Sequence, residues 1–236
     1  MRKQVMLQAG GHQLLKSKDG FIIKPTKLEE VEFYEKCLIR YPQLSRFVPK
    51  FFGSGLTSDI KNMFTTSEFA TIEEKKYTHY IKLEDLSKTK CSILDVKLGS
   101  IHWKSDALLS VIENHRIRNR ESVTNTHQFR LDGAIIDNKH YHKDDCRNMT
   151  IKQITEMFGK IDESALIEIE NWIANLLDIL KNISLNMYGP SLLIIFDGEC
   201  VSIKLIDFTT YEECLGRRKD DIIESLESVK RHLKRK

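Results

Sequence analysis

Lys24 ends the apolar run Phe21-Ile22-Ile23-Lys24, just ahead of a glutamate-rich segment. A lysine on such a strand can reach nucleotide phosphates as a compact point charge, with Glu32 or Glu35 to hold it in place. In the run Ser92-Ile93-Leu94-Asp95-Val96-Lys97-Leu98-Gly99, strand alternation puts Asp95 and Lys97 on one side, opposite Leu94, Val96 and Leu98. An acid and a base at a strand end, followed by glycine, suit a site that handles a phosphate and a sugar hydroxyl. Asp207 closes the apolar run Leu205-Ile206, where a carboxylate can hold Mg²⁺ against phosphate oxygens. Taken singly, each feature has an ordinary structural explanation. Strand lysines mostly point to solvent, strand acid-base pairs can be incidental, and aspartate often ends a strand as a turn residue.

The elements that must position these residues can be read from hydrophobic period and turn residues. Phe21–Lys24, Tyr77–Leu83, Cys91–Leu98 and Phe129–Ile136 read as strands, the last followed by a polar turn at Asp137-Asn138. Ser191–Phe196 and Val201–Ile206 read as a hairpin turning at Asp197-Gly198. Leu28–Ile39 has helical spacing, with Glu29, Glu30 and Glu32 in its first turn. Ser105–His115 reads as a helix capped by Ser105 or Asp106. Glu163–Ile183 is the longest helical pattern, with Leu166, Ile169, Ile173, Leu176, Leu177 and Leu180 on its apolar stripe. Arg217–Lys234 is a charged closing helix, and Phe51 to Gly55 reads as chain punctuation rather than an element. The pattern predicts an α+β fold with an antiparallel-rich sheet in each of two lobes, residues 1–86 and 87–236.

Composition narrows the partners. The 236 residues are 41% hydrophobic and 30% charged, which suits a globular protein, and no apolar stretch reaches membrane-spanning length. The opening residues are too polar for a secretory signal. Five scattered cysteines without a CxxC pair fit free thiols in a reducing compartment. His140, Tyr141, His142 and Cys146 lack the second group of ligands that a zinc site needs. A net charge of +3 gives no general attraction to nucleic acid. The cations are nevertheless clustered: Lys97, His102, Lys104, His115, Arg116, Arg118 and Arg120 in one stretch, Lys139 to Lys143 in another. If the two stretches share a face, the partner is small and strongly anionic; otherwise they are solvated surface. Stacking on a nucleic acid would call for interleaved aromatic residues, and only Trp103 and Tyr141 qualify.

In chain order these features resemble the inositol polyphosphate kinase family. Its signature Pro-x-x-x-Asp-x-Lys-x-Gly is met by Cys91 to Gly99, with Cys91 in place of proline. Its Ser-Ser-Leu-Leu motif appears as Pro190-Ser191-Leu192-Leu193, and its Ile-Asp-Phe motif as Ile206-Asp207-Phe208. Leu83-Glu84-Asp85-Leu86 resembles the family hinge, and Arg130-Leu131-Asp132-Gly133 its Arg-x-x-Gly strand. Gly10-Gly11-His12, Lys24-Pro25, Phe33-Tyr34-Glu35 and the run Asn138 to Lys143 look like the hexakisphosphate kinase branch. Thr209-Thr210 stands where the family has Ala-His, so a histidine able to touch inositol phosphates is missing.

The resemblance implies a two-lobed, protein-kinase-like α+β fold and a kinase that uses ATP and Mg²⁺. Adenine would bond to backbone groups of Glu84 and Leu86, Asp95 would hold the ribose, and Lys24 the α/β-phosphates. Asp207, helped by Ser191, would hold Mg²⁺, and Lys97 would lie between nucleotide and inositol. Within the segment at about residues 100–145, the acceptor would meet His102, Lys104, Arg116, Arg130, His140 and Lys143. Hexakisphosphate, converted to a diphosphoinositol pentakisphosphate, is the expected acceptor; a trisphosphate kinase or a multikinase acting on lower inositol phosphates is the alternative. With Lys24, Lys97 and Asp207 all present, a scaffold that binds without turnover is disfavoured. The same reading expects a monomer that meets neither nucleic acid nor membrane. It places the chain in the cytoplasm, the basic end at Lys230–Lys236 leaving the nucleus open.

Overall fold

A computed structural model describes residues 14–86, 91–213 and 220–234. The glycines Gly10 and Gly11, His12, Cys214 and the start of the expected closing helix at 217–219 lie outside the described residues.

The chain opens with β1 (Lys16–Lys18) and β2 (Phe21–Thr26), then α1 (Leu28–Glu32), which runs through a π-helical turn at Phe33–Cys37 into α2 (Leu38–Arg40). The expected helix over Leu28–Ile39 is thus present, although its backbone widens at Phe33. Next come β3 (Phe51–Leu56), α3 (Thr66–Glu74) and β4 (His79–Glu84). These strands form an antiparallel sheet ordered β1-β2-β4-β3. The Phe51–Gly55 run is therefore a strand and not punctuation. Its glycines fit an edge strand with a register shift at Phe51/Gly53.

The remaining elements are β5 (Ser92–Leu98), α4 (Leu109–Arg120), α5 (Thr124–His127), β6 (Phe129–Ile136), β7 (Lys139–Tyr141), α6 (Lys143–Arg147), α7 (Ile151–Phe158), α8 (Glu163–Asn182), β8 (Leu185–Met187), β9 (Ser191–Asp197), β10 (Cys200–Ile206), β11 (Tyr211–Glu213) and α9 (Asp220–Leu233). The larger sheet is ordered β10-β9-β5-β6-β7 and every pairing in it is antiparallel. Its central strand is β5, the one that carries Asp95 and Lys97. A short ladder of β11 and β8 stands apart.

The main core forms because α8 presents Ala165, Leu166, Ile169, Ile173, Leu176, Leu177 and Leu180 at helical spacing. They pack with Leu94, Val96 and Leu98 of β5, Leu192 and Ile194 of β9 and the apolar face of α9. The same cluster takes in Val31, Phe33 and Tyr34 from the start of the chain. One continuous apolar body thus fixes both sheets relative to the segment that follows Lys24.

Two expectations shift. Helix α4 begins after Leu108 rather than at Ser105 or Asp106. Both the backbone N–H and the hydroxyl of Ser105 donate to Glu212 Oε1, at 2.9 and 3.0 Å, which holds Ser105 outside the helix. The β9–β10 turn is Gly198-Glu199, because Asp197 pairs with Cys200. Gly198, at φ +57°, supplies the left-handed turn position.

Candidate active site

Strand pairing converges the charged residues at the C-terminal end of β5. Lys97 stands across from Ser191 of β9 on one side and Arg130 of β6 on the other. Strand β10 then delivers Asp207 just past its end. The backbone of Asp207 is left-handed, at φ +68°, a conformation in which aspartate is among the few tolerated side chains. There its carboxylate meets Lys24, with Nζ 2.6 Å from Oδ1. Residues 183 positions apart are thereby joined directly.

Glu30 completes this junction. Lys24 Nζ donates to Glu30 Oε1 at 2.8 Å, the N–H of Phe208 donates to the same oxygen at 3.3 Å, and the Thr26 hydroxyl donates to Glu30 Oε2. Phe208 stacks on Phe33 with ring centres 3.9 Å apart, which fixes the backbone next to Asp207. The lysine's partner is thus Glu30, not Glu32 or Glu35. Glu32 pairs with Lys36 and Glu35 accepts from Ser54. One helical turn decides between them: Glu30 is fully buried on the inner face of α1, a placement its position in the first turn did not reveal.

The electrostatics follow from burial and neighbours. Burial alone would lower the Lys24 ammonium, but Asp207 and Glu30 outweigh it and hold the lysine firmly charged. Burial would raise Asp207, yet Lys24 and Lys97 hold it down at about 2. Asp95 goes the other way: burial, then the charges of Asp132 and Asp207, push it up to about 7 against the pull of Lys97 and a hydrogen bond from Ser191. Its Oδ1 is buried without a protein partner. A buried carboxylate oxygen left unpaired is costly, so this atom suits a donor brought by a ligand.

The loop after β5 is fastened by a residue that sequence reasoning missed. Asp221, at the start of α9, accepts from the N–H of Ser100 (2.9 Å), the Ser100 hydroxyl (2.7 Å) and the N–H of Ile101 (3.0 Å). Gly99, at φ +78°, passes so close that a Cβ there would collide with the Asp221 carboxylate. The only signal in the chain was a pair of aspartates opening a charged helix.

The expected acceptor residues divide. Arg130 is buried and donates through Nε to Asp132 at 2.9 Å and through Nη1 to Thr124 at 3.3 Å. Lys143 reaches the same carboxylate from the N-terminus of α6, at 2.9 Å. Lys104 is half-buried in the segment after β5 and His140 is exposed on β7. His102 is not the cation it was expected to be. Its Nε2–H donates to the Gly99 carbonyl at 2.9 Å, its ring lies against Gly189, and burial followed by the charges of Lys97 and Arg130 lowers it to about 3. Arg116 is exposed on α4 and lies 4.0 Å from Glu113. Its neighbour His115 turns inward instead, packing on His102 and Trp103 within the field of Lys97 and Arg130.

Glu84 sits where β4 ends, its N–H donating to the Lys50 carbonyl and its side chain accepting from the Lys50 N–H, both at 2.9 Å. Leu86 follows at the edge of the described segment, packed against the cluster of Cys91, Ile93, Ile135 and Ile195. Among the described residues, no three His, Cys, Asp or Glu side chains gather as a ready-made metal cage. Around β5 the charges instead interlock as a charged floor: Lys24 lies between Glu30 and Asp207, and Asp132 between Arg130 and Lys143.

The chain resembles known proteins in both sequence and fold. Residues 80–234 match the family model described as inositol polyphosphate kinase. The inositol polyphosphate multikinase of Schizosaccharomyces pombe is 29% identical over 168 residues, covering 68% of this chain but 59% of that protein. The chain therefore matches about three fifths of that relative's length. An inositol phosphate multikinase from S. cerevisiae, solved with ADP and Mn²⁺, aligns with a TM-score of 0.69 at 18% identity, over 90% of this chain and 97% of that one. A second inositol phosphate multikinase structure gives a TM-score of 0.64 at 17% identity, over 86% and 95%. The α+β kinase-like fold is shared with both.

Proposed function

The chain belongs to the inositol polyphosphate kinase family, and from that premise we propose that it transfers the γ-phosphate of ATP to inositol phosphates of the lower series, beginning with a trisphosphate. The observation that carries the reading is the convergence of Lys24, Asp95, Lys97 and Asp207 on the end of one central strand. Hexakisphosphate, the acceptor expected from the branch resemblance, has less support, since the relatives described above are named multikinases.

In this reading ATP lies between the two sheets. The Glu84 N–H is already taken by Lys50, so its carbonyl and the Leu86 backbone are the groups that would meet adenine. The unpaired Oδ1 of Asp95 is suited to accept from a ribose hydroxyl. Lys24 would exchange part of its contact with Asp207 for the α/β-phosphates while Glu30 keeps it in place. The donor set suits Mg²⁺: Asp207 stays ionised, and such ions commonly take one or two carboxylates with phosphates and water completing the shell. Asp207 with Ser191 would hold the ion, which would neutralise charge on the phosphate oxygens. Lys97 touches both sides of the transfer and stabilises the charge that builds up on the phosphoryl group. The acceptor would be held by Lys97, Lys104, Arg130 and Lys143, with His115 and neutral His102 as hydrogen-bonding walls.

The division into residues 1–86 and 87–236 is retained as part of this proposal. Among the described residues no helix is long and apolar enough to cross a membrane. The test is transfer of labelled γ-phosphate to inositol trisphosphate with Mg²⁺. Label that appears only as inorganic phosphate would overturn the reading.

A further inference from the structure

Strand β6 carries one residue more than its pairing with β5 uses. Lys97 faces Arg130 and Val96 faces Leu131, but Asp95 faces Gly133, so Asp132 is the bulged residue. In unbroken register Asp95 and Asp132 would stand directly opposite, a destabilising arrangement of like charges. Bulges of this kind bend a strand and re-aim a side chain. Here the re-aimed carboxylate is 5% exposed and lies between two cations, Arg130 and Lys143. Its Oδ1 accepts from Arg130 Nε at 2.9 Å and its Oδ2 faces Lys143 Nζ at 2.9 Å. Both cations thus share one fixed negative charge in the wall of the cleft.

We propose that Asp132 is a specificity-determining residue, which aims Arg130 and Lys143 and, by offsetting their charge, makes the site discriminate against the most highly phosphorylated inositols. The inference rests on reading the cleft as an inositol phosphate site. A trisphosphate can be met by cations whose second valence goes to Asp132. A hexakisphosphate brings three more phosphates toward the same wall and meets the carboxylate's repulsion with each. A charge held a few ångströms from the ligand in a partly dry cleft is screened far less than one on the surface.

The test uses the full chain with MgADP and compares the dissociation constants of inositol trisphosphate and hexakisphosphate. In Asp132→Asn, which keeps an acceptor oxygen but not the charge, affinity for hexakisphosphate relative to trisphosphate should rise on the order of tenfold. Loss of a merely structural contact would weaken both ligands alike and leave their ratio unmoved. Should Asp132→Asn fail to fold, Lys143→Gln decides the matter, since Lys143 is half-exposed and its removal leaves the carboxylate less compensated. There the relative affinity for hexakisphosphate should fall several-fold, by the same electrostatic argument. A native ratio in either folded variant overturns the role of Asp132. A wild-type chain that binds neither ligand overturns the functional reading itself, and this inference with it.

Discussion

Replacing Asp207 by asparagine separates the chemistry of this residue from its part in the fold. The substitution removes the 2.6 Å ion pair with Lys24, but Lys24 keeps Glu30 at 2.8 Å. The Asp207 side chain is 38% exposed, so solvent screens much of the pair and its loss should cost about 1 kcal/mol at most. Asparagine also tolerates the left-handed backbone at φ +68°, and little strain is added. Turnover should respond far more, because an amide is a poor ligand for a hard cation. If this carboxylate holds the metal as proposed, its loss should lower kcat by about a thousandfold, or about 4 kcal/mol of transition-state stabilisation. The two readouts are thermal melting and ATP-dependent transfer measured per folded molecule. Stability carries its own signature. Asp207 lies at about 2 in the folded chain against an ordinary 3.8, so its contribution is present above 3.8 and fades as pH falls toward about 2. The melting temperatures of wild type and variant should therefore converge across that window. A folded Asp207→Asn protein that transfers phosphate at the native rate would refute the reasoning.

Three further substitutions or titrations bear on the same site. If Lys97 holds the transferring phosphoryl group as proposed, Lys97→Ala should lower kcat more than it raises KM for either substrate; a lowered melting temperature with full activity per folded molecule would contradict this. Gly99→Ala forces a Cβ toward Asp221 in a left-handed backbone, and should destabilise by about 2 kcal/mol in denaturant titration; an unchanged midpoint would show that the clamp is loose. Asp95 lies at about 7 rather than its ordinary 3.8, so its protonated form adds stability that is full below 3.8 and lost as pH rises to about 7. If the ionised form holds the ribose, MgADP should bind more tightly as pH rises through about 7 in wild type and not in Asp95→Asn; equal pH profiles would count against that contact.

The parts legible in the sequence are those set by apolar period. Strand β5, the β9–β10 hairpin and the stripe of α8 follow from alternation or helical spacing, and they place Asp95, Lys97 and Asp207 together. What escaped depends on contacts between distant segments. Glu30 was one of several glutamates on a short helix, and what singles it out is its contact with Lys24, Thr26 and the Phe208 N–H, the last from the far end of the chain. Asp132 sat in a strand pattern whose bulge is defined by its partner strand, not by its own residues. Asp221 acts across 121 positions on a loop whose N–H groups leave no trace in composition. The basic stretch showed the field of the site, but not that His102 would face a carbonyl while His115 turned inward.

The central claim is that the charged floor around β5 is a phosphoryl-transfer site for lower inositol phosphates. Its most direct test is product analysis after the full chain is incubated with ATP, Mg²⁺ and each inositol phosphate separately. The expected result is stepwise conversion of trisphosphate to more phosphorylated products, with hexakisphosphate a weaker acceptor. Conversion of hexakisphosphate alone, or of no inositol phosphate while the protein remains folded, would contradict it.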